Sequence, residues 1–253
     1  MNSILNFPVY VLLLSFLVLW FSALFGAFAR SHVRPLGEDV REDFVVVQAA
    51  ILTLLSLLIG FTFSMAVNSY DQRKNYEEAE ANAIGTEYVR VDLLPSPDAA
   101  KVQEMLRRYL DQRVLFYTTR DPQQRLQIDS KTASLQNDLW SAVKVHAIAT
   151  PTPTTALVVS GMNDVLNSQG YTQAAWLYRI PPEAWNLMGI IAIACNLLIG
   201  FGGRQTRRIL LLIVPLAVSV SFFLIADIDS PIGGLIQVQP QNLVSLTLAL
   251  RPH

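Results

Sequence analysis

Few residues in this 253-residue chain have the type and spacing that chemistry needs. The three histidines, His32, His146 and His253, stand alone, and neither an HExxH nor a CxxC spacing occurs. A single cysteine, Cys195, excludes an intrachain disulfide and a thiolate metal cluster. The glycine cluster GFGGR that starts at Gly200 lacks the preceding strand and following lysine of a phosphate-binding loop, and reads as a helix end. No nucleophile is set beside a base. The chain is therefore expected to be no enzyme, with no catalytic residue, metal ligand or cofactor.

The remaining polar residues suit a different chemistry, that of polar groups held in or beside an apolar medium. Thr53, Ser56, Gly60 and Ser64 recur at three- and four-residue spacing on a helix whose other faces are Leu, Ile and Phe. Small residues let membrane helices approach closely, and hydroxyls bond across the contact. Continued by Asn68 and Asp71, the same stripe suits the wall of an aqueous pathway in an oligomer, with Leu57, Phe61 and Phe63 either a hydrophobic constriction or ordinary lipid-facing or core residues. Close packing and pore lining both stay open. A comparable stripe is Gly189, Ala192, Asn196 and Gly200, where a buried Asn196 amide is expected to find a partner across a helix interface.

Two further clusters carry charge. Asp227 and Asp229 sit at the end of an apolar run, against the dipole of a helix C-terminus, so a neighbouring arginine, a capped turn or a bound cation must offset them. Two carboxylates alone supply too few oxygens for a hard cation. In DQRKNYEEAEANAIGTEY, Arg73 and Glu77 stand at i, i+4, as do Lys74 and Glu78, while Glu80 and Glu87 are one heptad apart. An ordinary solvated face accounts for this run. In a symmetric oligomer the same Arg73, Glu77, Glu80 and Glu87 would form charged rings at a pore mouth.

The elements that must position these residues follow from composition. Charged residues make up 15% of the chain and the mean hydropathy is +0.36, against about 25% charged in soluble domains. Four uncharged apolar runs account for the deficit, at 8–29, 44–67, 184–203 and 209–226. The first has 22 residues, about 33 Å of helix, which matches a bilayer core. It is too long for a signal-peptide core and has no basic residue before it, so it is expected to be retained. Pro215 is expected to kink the fourth. Net charge is −1, which argues against nucleic acid as a partner.

Between the second and third runs lie residues 68–183, with 26 of the chain's 39 charged side chains. Apolar residues there mostly follow helical spacing: Val102, Met105, Leu106, Tyr109, Leu110, Leu115, Phe116 and Tyr117, then Leu135, Leu139, Val143 and His146, then Leu157, Val158, Met162, Val165 and Leu166. Gly85 is the one breaker before Pro95, so the second span is expected to continue as helix beyond the bilayer. Ser96 as N-cap, Pro97, the Asp121-Pro122 turn, Pro151, Pro153 and Gly170 divide the segment into about four helices. Residues 242–250 read as a short amphipathic helix. The expected fold is an all-α integral membrane protein, with four transmembrane helices and a water-facing helical bundle between the second and third. Its parts are a first pair of spans at 1–67, the bundle at 68–183, a second pair at 184–226 and a tail at 227–253.

Orientation follows Lys and Arg in short loops. Arg30, Arg34, Arg41, Arg204, Arg207 and Arg208 flank the two short loops, against Arg73, Lys74 and Arg179 on the other side. The rule places the short loops in the cytoplasm, with the bundle and both termini outside it.

Two segments, GFTFSMAVNSYDQRKNYEEAEANAIGTEYVRVDLLP and ADIDSPIGGLIQVQP, resemble the bacterial bestrophin-like membrane proteins, and the four-span layout extends the resemblance over nearly the whole chain. Bestrophins are pentameric anion channels whose second span lines the pore. The resemblance thus implies a homo-oligomeric ion channel in a bacterial inner membrane, with lipid and further copies of itself as partners. It also implies a cytosolic bundle, opposite to the arginine count. The alternative function is a non-conducting scaffold or sensor whose bundle binds a partner or ligand.

Overall fold

The computed structural model describes residues 7–32, 38–202 and 210–251, without the side chains of 38–42 and 210. Of the residues used for orientation, Arg34, Arg204, Arg207 and Arg208 and the Arg41 side chain lie outside the described set, as does Gly203 of the glycine cluster. The described residues form eight α-helices and no strand: α1 Pro8–Ser31, α2 Glu38–Arg90, α3 Ser96–Thr118, α4 Pro122–Ala149, α5 Pro153–Leu177, α6 Pro182–Gly202, α7 Leu210–Asp229 and α8 Gln241–Ala249. Two compact units emerge, one from residues 1–70 and 179–237, the other from 71–178 and 238–253. The division falls within α2 at 70/71, and residues 227–253 are shared between the two units.

The first unit holds the four helices long and apolar enough to cross a membrane. Proline opens α1 and α6 because the first turn needs no donor there. The contact between α1 and α6 is made by small residues. A methyl on Gly26 would collide with the Leu197 carbonyl oxygen, and one on Gly200 with that of Ala23. Ser22 Oγ adds a 2.9 Å hydrogen bond to the Ile193 carbonyl. Backbone-to-backbone approach of this kind lets van der Waals contact hold helices together where lipid removes the hydrophobic incentive. Leu19, Ala192, Cys195, Val218, Phe222 and Ile225 complete the interior. Pro215 lies within α7.

The second unit is the water-facing bundle. At 53 residues, α2 is about 80 Å long, far more than a bilayer core, so the second span does continue as one helix through Gly85. A 3-10 turn at Val91–Leu93 ends it. The helix starts follow local chemistry. Asp121 accepts from the Gln123 amide at 2.9 Å and caps α4, and Thr152 accepts from Thr155 at 3.1 Å and caps α5. Ser96, expected as an N-cap, is already the first helical residue of α3, with Pro95 at the cap position. Gly170, expected as a breaker, is passed over by α5. A Cβ there would meet open space, and the roughly 1 kcal/mol propensity cost of an interior glycine is offset by the packing of Val165, Ser168 and Thr172 on either side. Val102, Leu106, Tyr109, Leu110, Phe116, Tyr117, Leu139, Val143, Val158, Met162 and Val165 are all buried as their spacing predicts, whereas Leu115 and Leu157 are exposed.

Candidate functional site

The site is built on α2, whose two sides are unlike. Thr53, Ser56, Leu57, Gly60, Phe61, Ser64, Asn68 and Asp71 are all exposed. Leu57 and Phe61 leave 52% and 62% of their surface uncovered, and a Cβ on Gly60 would touch nothing within 4 Å. Thr53 and Ser56 turn their hydroxyls back to the carbonyls of Ala49 and Leu52, each at 2.9 Å. Their polarity is thereby satisfied within the helix, and a smooth, weakly polar strip is left outward. At roughly 100° per residue, these eight positions fall within one broad sector of the helix. Leu55, Thr62 and Ala66 face the other way and are buried. Among the described residues no other element packs over the strip, so its small residues do not serve close packing within one subunit.

Arg73, Glu77, Glu80 and Glu87 lie on the opposite side of α2 and differ from expectation. None exceeds 1% exposure, so they are neither a solvated face nor rings presented at a mouth. Each carboxylate has a separate environment. Glu80 forms a bidentate ion pair with Arg113 of α3, and it accepts from Thr172 Oγ1 of α5 at 3.0 Å. Arg113 also lies over the Phe116 ring, 4.4 Å from its centroid. Burial works against the Arg113 charge, but the Glu80 carboxylate outweighs it and holds the guanidinium above its ordinary pKa. Burial and then the Glu80 charge push the Tyr109 and Tyr117 phenols upward, so both remain neutral.

Glu77 accepts from the Asn242 side chain at 2.7 Å and the Leu243 amide at 2.9 Å. It acts as a borrowed cap for α8, which has none of its own. Leu246 of the same helix rests on Gly85. Glu87 stands apart: neither of its oxygens has a hydrogen-bond partner. Desolvation by burial raises its pKa from 4.5 to about 8, Arg90 opposing and Asp164 reinforcing the rise.

The two carboxylates in the last turn of α7 are offset in two of the expected ways. Asp229 accepts from the Ile180 amide at 3.2 Å and pairs with Arg179 at 3.5 Å. Asp227 closes a turn, taking the amides of Leu235 at 2.6 Å and Ile236 at 2.9 Å. Gly234 must lack a side chain, because a Cβ there would run into the Asp227 carbonyl. Asp227→Ala, which takes a buried acceptor away from two main-chain amides of a partly buried turn, is expected to cost about 1–3 kcal/mol, read as a lowered thermal midpoint of the purified protein. Asn196 is fully buried, and its amide nitrogen donates to the Ala192 carbonyl of its own helix at 2.8 Å. Among the described residues no group of three or more His, Cys, Asp or Glu is arranged to hold a metal.

The spacing of residues does not single out Arg113, Thr172 or Asn242, nor does it say that Arg179 is the arginine beside Asp229. A signal for the first was present: an arginine within the apolar spacing of α3, three residues after Leu110 and three before Phe116.

Solved structures share this fold. A bacterial bestrophin homologue from Klebsiella pneumoniae aligns over 96% of this chain and 99% of its own, at 14% identity and a TM-score of 0.63. A single-site variant of a Klebsiella pneumoniae bestrophin homologue aligns over 96% of this chain and 97% of its own, at 13% identity and a TM-score of 0.66. Among curated protein sequences none matches the chain. The profile of the Bestrophin-like domain matches residues 15–243, almost the whole length, including α2 and the Asp227 turn, and the chain belongs to that family.

Proposed function

We propose that the protein is a homo-oligomeric ion channel of a bacterial inner membrane, its pathway lined by the exposed side of α2. The observation that carries this reading is the uncovered strip from Thr53 to Asp71. It is a weakly polar strip on an otherwise apolar span, and none of the described residues covers it. Copies arranged about an axis along α2 would place Thr53, Ser56, Gly60 and Ser64 around a water path, Leu57 and Phe61 at its narrowest part, and Asn68 and Asp71 at its end. The family supports a channel, and bestrophin-like assembly supports five copies. The arginine bias supports cytoplasmic short loops, with the bundle and both termini periplasmic.

Purified full-length protein in detergent is expected to have the mass of a closed oligomer, and in liposomes to carry ions down a gradient. Phe61→Ala, which widens the constriction without touching the chain's own core, should raise that flux severalfold. A monomer with no flux under any gradient would overturn the reading in favour of a non-conducting scaffold or sensor. Orientation is open to labelling in whole cells and in inverted inner-membrane vesicles, which preserve the sidedness of the membrane, because the native Cys195 is fully buried. A cysteine at Ser130 is therefore expected to react with an impermeant reagent only from the periplasmic side, whereas reaction only from the cytoplasmic side reverses the orientation.

A further inference from the structure

Among the described inward carboxylates of α2, Glu87 is left without a hydrogen bond. Its carboxyl is fully buried and lies in a notch that exists because residue 161 of α5 is glycine; a methyl there would collide with Glu87 Oε2 and stand 2.6 Å from Arg90 Nη1. Both the acid and the guanidinium three residues along therefore converge on one spot of α5 without pairing. Arg90 instead reaches Asp164, one turn beyond the notch, at 3.9 Å across exposed surface. The other ionisable groups nearby are engaged elsewhere. Asp92 of the 3-10 turn accepts from Gln103 at 2.7 Å, and the Tyr88 hydroxyl accepts from Arg107 at 2.8 Å. The tail helix α8 contributes no ionisable side chain.

A buried carboxyl without partners is tolerated while neutral and strongly disfavoured when ionised. An ionised Glu87 has two remedies at hand: to draw Arg90 away from Asp164, or to leave the notch so that water reaches it. Either one disturbs the seat of α5. We propose that Glu87 in the Gly161 notch, flanked by the Arg90–Asp164 pair, is a proton-operated catch between α2 and α5, closed when Glu87 is neutral and released when it ionises.

The direction follows from linkage. Seated, Glu87 keeps its proton up to about pH 8, whereas in water it would lose it near its ordinary value of 4.5. Between those limits the released form binds fewer protons, so each pH unit favours release by about tenfold, and above the upper limit the effect levels off.

Hydrogen exchange of the α5 backbone, followed by mass spectrometry on the purified full chain and corrected for the intrinsic rate, tests this without reference to conduction. Protection of residues 153–177 is expected to fall steadily from pH 5 to pH 8 and then flatten. Glu87→Gln should keep α5 protected and remove the pH dependence. Asp164→Asn, a change at an exposed position, frees Arg90 for Glu87 and should move the flattening point to lower pH. A pH-independent wild type, a Glu87→Gln variant with the wild-type slope, or an Asp164→Asn variant with an unmoved flattening point each overturns the proposal. Should Glu87→Gln fail to fold, the Asp164→Asn result decides.

Discussion

Arg113→Met is expected to destabilise the water-facing bundle by about 3–5 kcal/mol, the range for removing one partner of a buried ion pair. Arg113 and Glu80 are both fully inaccessible, and Thr172 alone cannot compensate a carboxylate whose guanidinium has gone. The loss comes less from the missing attraction than from the charge left behind. For that reason Glu80→Met combined with Arg113→Met should recover most of the stability, because the pair removed together leaves no buried charge and fills similar volume. Thermal unfolding of the purified protein, followed by helical circular dichroism, reads both effects. A single Arg113 variant within about 1 kcal/mol of wild type, or a double variant worse than either single one, would show that the pair is not the centre of this core.

The second large effect is expected in the membrane-spanning unit. Gly200→Ala should force α1 and α6 apart, because the added methyl meets the Ala23 carbonyl oxygen and stands 2.8 Å from the Ala27 amide nitrogen. Both are main-chain atoms and cannot rotate away as a side chain would. Overpacking of this kind costs about 1–3 kcal/mol, and Gly200→Val should exceed Gly200→Ala. Gly26→Ala should act alike, since Gly26 occupies the reciprocal position against Leu197 and comes 3.1 Å from the Phe201 amide nitrogen. Gly189→Ala is the matched control on the same helix. A Cβ at Gly189 finds nothing within 4 Å, so the substitution should leave stability unchanged or improve it by up to about 1 kcal/mol of helix propensity. Equal effects at Gly189 and Gly200 would mean that close approach is not what these glycines provide.

Much of this architecture could be read from the chain because the signals are local. A run of some twenty uncharged residues has few stable places outside a bilayer, and Pro122 after Asp121 or Pro153 after Thr152 announces a helix start by its own chemistry. The uninterrupted course of α2 was legible for the same reason, since nothing before Pro95 stops a helix. The charged run beyond the membrane was not read correctly. Carboxylates at helical spacing have the same pattern whether they face water or a polar core, and what distinguishes the cases is a partner elsewhere in the sequence. Glu80 meets Arg113 and Thr172, 33 and 92 positions away, and Glu77 meets Asn242, 165 positions away.

One part of that misreading was avoidable. At about 100° per residue, Glu77, Glu80 and Glu87 project from the side of α2 opposite Thr53, Gly60 and Ser64, so the two sets do not line one path along a continuous helix. Local pattern is enough for four apolar spans, one of them extended far beyond a bilayer, and for a bundle of helices rich in charge. Which side of α2 each residue turns to its neighbours, which carboxylates are paired, capped or left bare, and that the strip from Thr53 to Asp71 is uncovered all depend on the folded chain. Helix formation depends on neighbours a few residues away. Burial depends on what the chain brings back from a hundred residues on, and no local pattern records it.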